Sequence, residues 1–326
     1  MALKAALRFD AGAELGMGHA HRCLALADAL AKRSCDITLL TRTPETLEPL
    51  RPAFPVQVLG ESDLDTDASP AARADLLVLD YLDAPWVRIE SIRNALPNTK
   101  LVLLGNREHE TLADIVIRQD LERPSPDPTV INGGGHLLLK DQFTALPSRV
   151  ETDRARKALV CLGGGHARGL ENLLTFIDIY APADLSHVHV IGSDGHKASP
   201  RNPKHQFTFE DRTDQMAARM VDADIGFLAG GGLIFEAAAA GLPCVYCPVV
   251  PHQDAQVAAV MRAGLGFMGG RPGQLDAAHF REALAKLTDD RAKRHSCSQV
   301  GQRLVDGQGA RRVAKVLIAL CSPDED

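Results

Sequence analysis

The 326-residue sequence has no stretch approaching 18 uncharged apolar residues, so a membrane-spanning helix is not expected. Its first ten residues meet charge at Lys4 and Arg8, too early for the apolar region of a secretory signal, and a cytoplasmic chain is the expectation. Dense runs of Lys or Arg are also missing. The 36 Lys+Arg are outnumbered by 42 Asp+Glu, giving a net charge of −6 and a pI near 6.1. That balance removes the electrostatic footprint of sequence-independent nucleic-acid binding. Aromatic residues make up 4% of the chain, with a single tryptophan, Trp86, so these rings are expected in the core rather than on a sugar-stacking platform. Cysteines number seven, an odd count in a chain too long to need disulfide staples, and are expected reduced. Cys244 and Cys247 form a C-x-x-C, but Pro243-Cys-Val-Tyr-Cys-Pro248 reads as a strand, where residues three apart point to opposite faces. Two small buried hydrophobes fit better there than a zinc or redox site. The histidines, including His166, His187 and His189, form no ligand triad, so no structural metal is expected. No repeat of solenoid period is visible.

What is present is an ordinary globular composition, 45% hydrophobic and 24% charged, over a length that suits two domains. Apolar runs of strand length alternate with helical periodicity, the pattern of an α/β protein with parallel sheets. The expected strands are 5–9, 36–40, 56–59, 76–79, 100–104 and 115–117, then 158–162, 187–191, 207–209, 225–228, 244–247 and 266–268. Between the two series, residues 146–156 carry proline and charge with little apolar periodicity and read as a linker. The domains are therefore placed at 1–148 and 149–326, with residues 309–320 an amphipathic helix of the second.

Three glycine-rich turns follow strands. The first, Gly12 to Arg22, contains Gly16, Gly18 and His19 and leads into the apolar helix beginning at Cys23. It lies at the carboxyl end of a parallel strand, where ligands of doubly wound folds bind. The glycines admit a close backbone approach, and the helix offers free N–H groups. A dinucleotide fingerprint competes, but the third glycine is out of place. His19 reads either as a helix-capping or solvated imidazole or as a functional one, and its place between the glycines and a helix start favours function. The second turn is Cys161-Leu-Gly-Gly-Gly-His166, containing Gly164; a close approach to phosphate or sugar and a mere tight turn are equally compatible with it. The third, Ala229-Gly-Gly-Gly-Leu-Ile-Phe-Glu236, places Gly230, Gly231, Gly232 and Leu233 before an alanine-rich helix whose amino end is a ready seat for diphosphate. Glu236 is that helix's one charge and reads either as an exposed carboxylate on a half-buried helix or as a buried one that finds hydroxyl or amide donors, such as those of a ribose. The surrounding glycines and the short helix ending at Gly241-Leu-Pro243 restrict where its face can point.

These motifs resemble a family, the UDP-sugar hydrolases of pseudaminic acid biosynthesis (UDP-2,4-diacetamido-2,4,6-trideoxy-β-L-altropyranose hydrolases), relatives of the bacterial glycosyltransferase that adds N-acetylglucosamine to lipid I. The family's strand ending R-x-D and its I-G-x-G-H-x-x-R-C-L are matched by Arg8-Phe-Asp10 and Leu15-Gly-Met-Gly-His-Ala-His-Arg-Cys-Leu24. Leu76–Asp80 resembles the strand before its Asp-His-Tyr, residues 158–165 its second-domain strand and turn, and 216–250 its uridine-nucleotide region. Two departures stand out: Asp80-Tyr81-Leu82 replaces Asp-His-Tyr, and His252-Gln253-Asp254 stands where many members have Asn-Gln.

The resemblance implies a GT-B architecture, with two Rossmann-like domains whose parallel sheets face each other across a cleft. It implies a metal- and cofactor-independent hydrolase that releases UDP from a UDP-linked 2,4-diacetamido-2,4,6-trideoxyhexose by attack of water on the anomeric carbon, in nonulosonic acid biosynthesis and flagellin glycosylation. On that basis His19 is the candidate base. Asp10 and Arg22 orient it or contact the sugar, with a strand-end cap and a surface helix charge as their alternatives. Gly16, Gly18, Gly164, Gly230, Gly231, Gly232, Leu233, Glu236, His252 and Gln253 are candidate UDP and sugar contacts. A GT-B glycosyltransferase using a UDP-sugar donor and a non-catalytic nucleotide-sugar binding protein are the competing readings.

Overall fold

The computed structural model describes residues 2–12, 15–60, 73–81, 86–105, 110–163, 169–192, 195–251 and 253–322, apart from the side chains of 86, 87, 110, 195 and 196. The chain divides into two compact units, one of residues 1–141 with 307–326 and one of 142–306.

The first unit holds a seven-stranded parallel sheet. Its strands are β1 (Lys4–Phe9), β2 (Asp36–Thr41), β3 (Val56–Val58), β4 (Leu76–Asp80), β5 (Lys100–Leu104), β6 (Ile115–Ile117) and β7 (Val130–Ile131), in the order β3-β2-β1-β4-β5-β6-β7. The central strands are apolar on both faces, as a sheet covered on both sides requires. Ala5, Leu7 and Phe9 of β1 and Leu76 and Val78 of β4 face α1 (Gly18–Ala31), while Ala6 of β1 and Leu77 and Leu79 of β4 pack on the opposite face with Ile89 and Ile92 of α2 (Trp86–Ala95).

The second unit holds a six-stranded parallel sheet of β8 (Lys157–Cys161), β9 (His187–Ile191), β10 (Gln206–Glu210), β11 (Ile225–Leu228), β12 (Cys244–Tyr246) and β13 (Gly266–Met268), in the order β10-β9-β8-β11-β12-β13. Its helices are α3 (Leu170–Tyr180), α4 (Met216–Asp222), α5 (Gly232–Ala240), α6 (Gln253–Arg262), α7 (Ala277–Thr288) and α8 (Arg291–Leu304). Asp276 and Asp290 cap α7 and α8 by accepting the N–H groups of His279 and Lys293. A Cβ on Gly301 of α8 would stand 2.7 Å from the Ala238 carbonyl oxygen, so the glycine lets α8 press against α5 and fix where its amino end lies. Cys244 and Cys247 are fully buried, with Cys244 Sγ against Gly226 and Cys247 Sγ against Gly269, and burial pushes the Cys247 thiol up to about 12. All seven cysteines are free.

Every strand expected from the sequence is present, and the short β7 is additional. Two expectations are corrected. The helix near the carboxyl end, α9 (Gly309–Cys321), belongs to the first unit: Ala310, Val313, Ala314 and Leu317 are buried in the cluster that contains Ala20, Leu24 and Ala27 of α1. A Cβ on Gly309 would come within 2.2 Å of the Leu137 carbonyl oxygen, so this close seating requires glycine. Residues 146–156 are not a solvated linker throughout. Glu151 is 5% exposed between Arg149 and Arg294, with N–O separations of 3.3 and 3.5 Å. Arg294, fully buried, also donates to the carbonyls of Leu287, Thr288, Thr152 and Asp153. Charge anchors this segment where the sequence offers no apolar periodicity.

Candidate active site

Strand order in the first sheet reverses between β1 and β4, where neighbouring strands connect in opposite directions and leave room at their carboxyl ends. Phe9 pairs with Asp80 in the register of β1 and β4, so the turn after β1 and the last residue of β4 meet at this point. The turn closes on itself through the Gly16 N–H to the Gly12 carbonyl at 2.7 Å, with Gly16 at φ +80°, a conformation that favours glycine. Gly18 then opens α1, whose first turn has no side-chain cap and no acidic residue. His19, one residue in, is 7% exposed.

Alternation along β4 decides what His19 meets. Asp80 shares the parity of Leu76 and Val78 and points to the α1 face, while Tyr81 packs on the opposite face between the guanidinium groups of Arg8 and Arg88, at 5.1 and 5.8 Å. Asp80 is 2% exposed. Its Oδ1 lies 2.8 Å from His19 Nδ1, and its Oδ2 accepts from Arg22 Nε at 2.6 Å and from Cys23 Sγ at 3.4 Å. Arg22 Nη2 also donates to Oδ1. Burial opposes ionisation of Asp80, but the Arg22 charge and hydrogen bonds, together with the His19 bond, outweigh it and hold the carboxyl down to about 2. An ionised Asp80 fixes the imidazole tautomer: Nδ1 carries the hydrogen and donates it, which leaves the Nε2 lone pair free to accept a proton.

Asp10 is engaged elsewhere. Its carboxylate faces the fully buried Arg8 in a two-pronged pair, 2.8 Å at each contact, and accepts from the Arg42 N–H at 2.7 Å and Thr41 Oγ1 at 3.2 Å. It ties the end of β1 to the end of β2.

In the second sheet the strand order reverses between β8 and β11, and the second and third glycine turns begin at these two strand ends. Gly231 caps α5 at φ +81°, and no side chain caps the helix. The Gly231 N–H donates to Gln256 Oε1 at 3.0 Å. A Cβ on Gly230 would lie 2.5 Å from Gln253 Cβ, whereas one on Gly232 would meet nothing within 4 Å. Gln253 itself is held by accepting the Val249 N–H at 2.8 Å. Leu233 packs half-buried on the core of this unit. Glu236, half-buried on α5, is close enough to Cys161 at the end of β8 for its charge to add to the burial that pushes that thiol up to about 11.

No known protein-family profile matches the chain. The spore coat polysaccharide biosynthesis protein SpsG of Bacillus subtilis (strain 168) is 26% identical to it over 326 residues, covering 94% of this chain and 96% of the relative. Among solved structures, MurG of Acinetobacter baumannii superposes with a TM-score of 0.72 at 14% identity, covering 97% of this chain and 99% of that one. The calicheamicin glycosyltransferase CalG4 superposes with 0.66 at 19% identity over the whole of both chains. The fold is GT-B.

Within this GT-B chain the structure brings His19 and Arg22 together and adds Asp80 as their common partner. It separates Asp10 from them and gives its carboxylate to Arg8. Gly164, His252, Leu82 and His166 lie outside the described residues. Asp80 was the residue least visible in the sequence: it lies 61 positions from His19, and only the parity of β4 favours it over Tyr81. No group of three or more His, Cys, Asp or Glu among the described residues is placed to hold a metal ion, and no helix among them is long and apolar enough to cross a membrane.

Proposed function

We propose that this GT-B protein is a nucleotide-sugar hydrolase that releases UDP from a UDP-linked 2,4-diacetamido-2,4,6-trideoxyhexose, a step of nonulosonic acid biosynthesis. The observation that carries the reading is the 2.8 Å contact of His19 Nδ1 with the ionised Asp80, which leaves Nε2 as a base. Water attacks the anomeric carbon and gives its proton to His19 Nε2, while the bond from that carbon to the diphosphate oxygen breaks and UDP departs with the electron pair. The first-turn N–H groups of α5 receive the departing charge, and Glu236 takes the ribose hydroxyls. Similarity to SpsG, a spore coat polysaccharide biosynthesis protein, supports a sugar-nucleotide substrate.

The purified protein, given UDP-6-deoxy-2,4-diacetamido-altrose and neither metal nor acceptor, is expected to release UDP, and His19→Gln to abolish release while the fold persists. A second reading, a glycosyltransferase with a UDP-sugar donor, is favoured by the structural likeness to MurG and CalG4. UDP release only on addition of an acceptor selects it. Tight UDP binding with no turnover under either condition selects a non-catalytic binding protein.

A further inference from the structure

Arg22 does more than neutralise Asp80, because its Nη2 also lies 3.0 Å from His19 Nδ1. With the Nδ1 hydrogen directed at Asp80, these are two donors facing each other, drawn together by the same Oδ1. While the imidazole is neutral, the group of Asp80, Arg22 and His19 has no net charge. A proton on Nε2 leaves a net positive charge in a place where His19 is 7% and Asp80 2% exposed, with a cationic ring against a guanidinium. Both burial and like-charge repulsion disfavour that state. A buried carboxylate alone beside His19 would do the reverse and hold the imidazole protonated, useless as a base.

The end of β5 is shaped around this arrangement. Gly105 sits at φ +80°, and a Cβ there would stand 3.0 Å from Arg22 Nη2, so a side chain would press on the guanidinium. Two other groups at this end of the sheet are either uncharged or engaged elsewhere. Cys23 of α1 keeps its proton, since burial and Asp80 push its thiol well up, and Asp10 of β1 is closed on Arg8. Asp83, Arg107, Glu108 and His109, in the segments after β4 and β5, lie outside the described residues.

We infer that Arg22 is a positioning residue that keeps His19 unprotonated and ready as a base, and that Gly105 provides the space it needs. The inference rests on His19 acting as the base of the hydrolysis proposed above, and its test is built to separate the two.

The experiment measures UDP release against pH for the wild type and for Arg22→Gln, Arg22→Lys, Gly105→Ala and Asp80→Asn, and follows the His19 ring by NMR titration of the histidine-labelled chain, assigned with His19→Gln. Arg22→Gln is expected to move the acid limb of kcat/KM, and the His19 titration, upward by about one pH unit or more, with activity lost near pH 7 and recovered in alkali. Arg22→Lys keeps the charge and holds the limb near its wild-type position. Gly105→Ala moves it in the same direction as Arg22→Gln, by less. Asp80→Asn moves it the other way and lowers the plateau. A raised KM with an unmoved limb in Arg22→Gln makes Arg22 a substrate contact and overturns the inference, as does a lowered plateau without a shift. If Arg22→Gln does not fold, an unmoved limb in Gly105→Ala overturns it. If the wild type releases no UDP, the hydrolase reading falls and the His19 titration alone decides: an unchanged midpoint in Arg22→Gln rejects the role given to Arg22.

Discussion

An imidazole accepts a proton from water only while one ring nitrogen is bare, and in this chain that condition depends on Asp80. Removing the carboxylate leaves Arg22 without its buried counter-charge and His19 without its tautomer restraint. Asp80→Asn is therefore expected to lower kcat by about 10² to 10⁴ and to cost about 3 kcal/mol of stability, read by UDP release and by urea titration. The stability difference has a pH signature. The carboxyl titrates at about 2 in the fold against an ordinary 3.8, so its stabilisation is complete above pH 3.8 and is lost as pH falls through 2. The gap between wild type and Asp80→Asn should narrow as the titration is repeated from pH 5 down to pH 2. His19→Gln leaves the proposed diphosphate seat on α5 untouched and should keep UDP affinity within about twofold by calorimetry while release stops. The motif around Gly18 made His19 and Arg22 visible as candidates in the sequence. Asp10 was an equally reasonable partner there, being close in sequence and at a strand end, but side-chain direction at the end of β1 sends it to Arg8.

Among elements, α5 owes its exposed amino end to the glycines before it, and they are not equivalent. Gly230 lies against Gln253, so Gly230→Ala forces a Cβ to within 2.5 Å of a side chain fixed at the start of α6. It should cost roughly 1 to 3 kcal/mol and weaken UDP binding as well. Gly232 has open space around it and no left-handed backbone, so Gly232→Ala should leave the melting temperature near that of the wild type and, on the proposed function, weaken UDP binding alone, by placing a methyl group in the proposed path of the diphosphate. Differential scanning calorimetry and isothermal titration on the two variants check this contrast. The strands of both sheets were legible because each is a short apolar run bounded by turn residues. β7 was not, since two residues carry no periodicity, and neither was the burial of Glu151, because a charged residue in a proline-bearing segment reads as solvated until its cationic partner Arg294, far along the chain, is known.

For the whole molecule, the chain enters the second unit near residue 142 and returns to the first at 307, so the first unit is completed only when the last helix is made. Deleting residues 307–326 removes Val313 and Leu317, both fully buried, and uncovers α1. At about 1.5 to 3 kcal/mol for each such side chain, the truncated chain should lose several kcal/mol, seen as a large fall in the melting temperature of the first unit while the second still melts near its original temperature. A C-terminal amphipathic helix was evident from its apolar stripe, but the stripe does not say which of two similar cores it joins; Gly309 seated against Leu137 and the face of α1 decided that. By itself the sequence determined two series of parallel strands, the glycine turns at their ends and the histidine beside one of them, because strand periodicity and turn chemistry act over a few neighbouring residues. Only the tertiary structure decided that Asp80 rather than Asp10 faces His19, that Arg22 shares the same carboxylate, and that α9 closes the first unit. These depend on strand parity, sheet order and close packing between residues far apart in the chain, which no local pattern encodes.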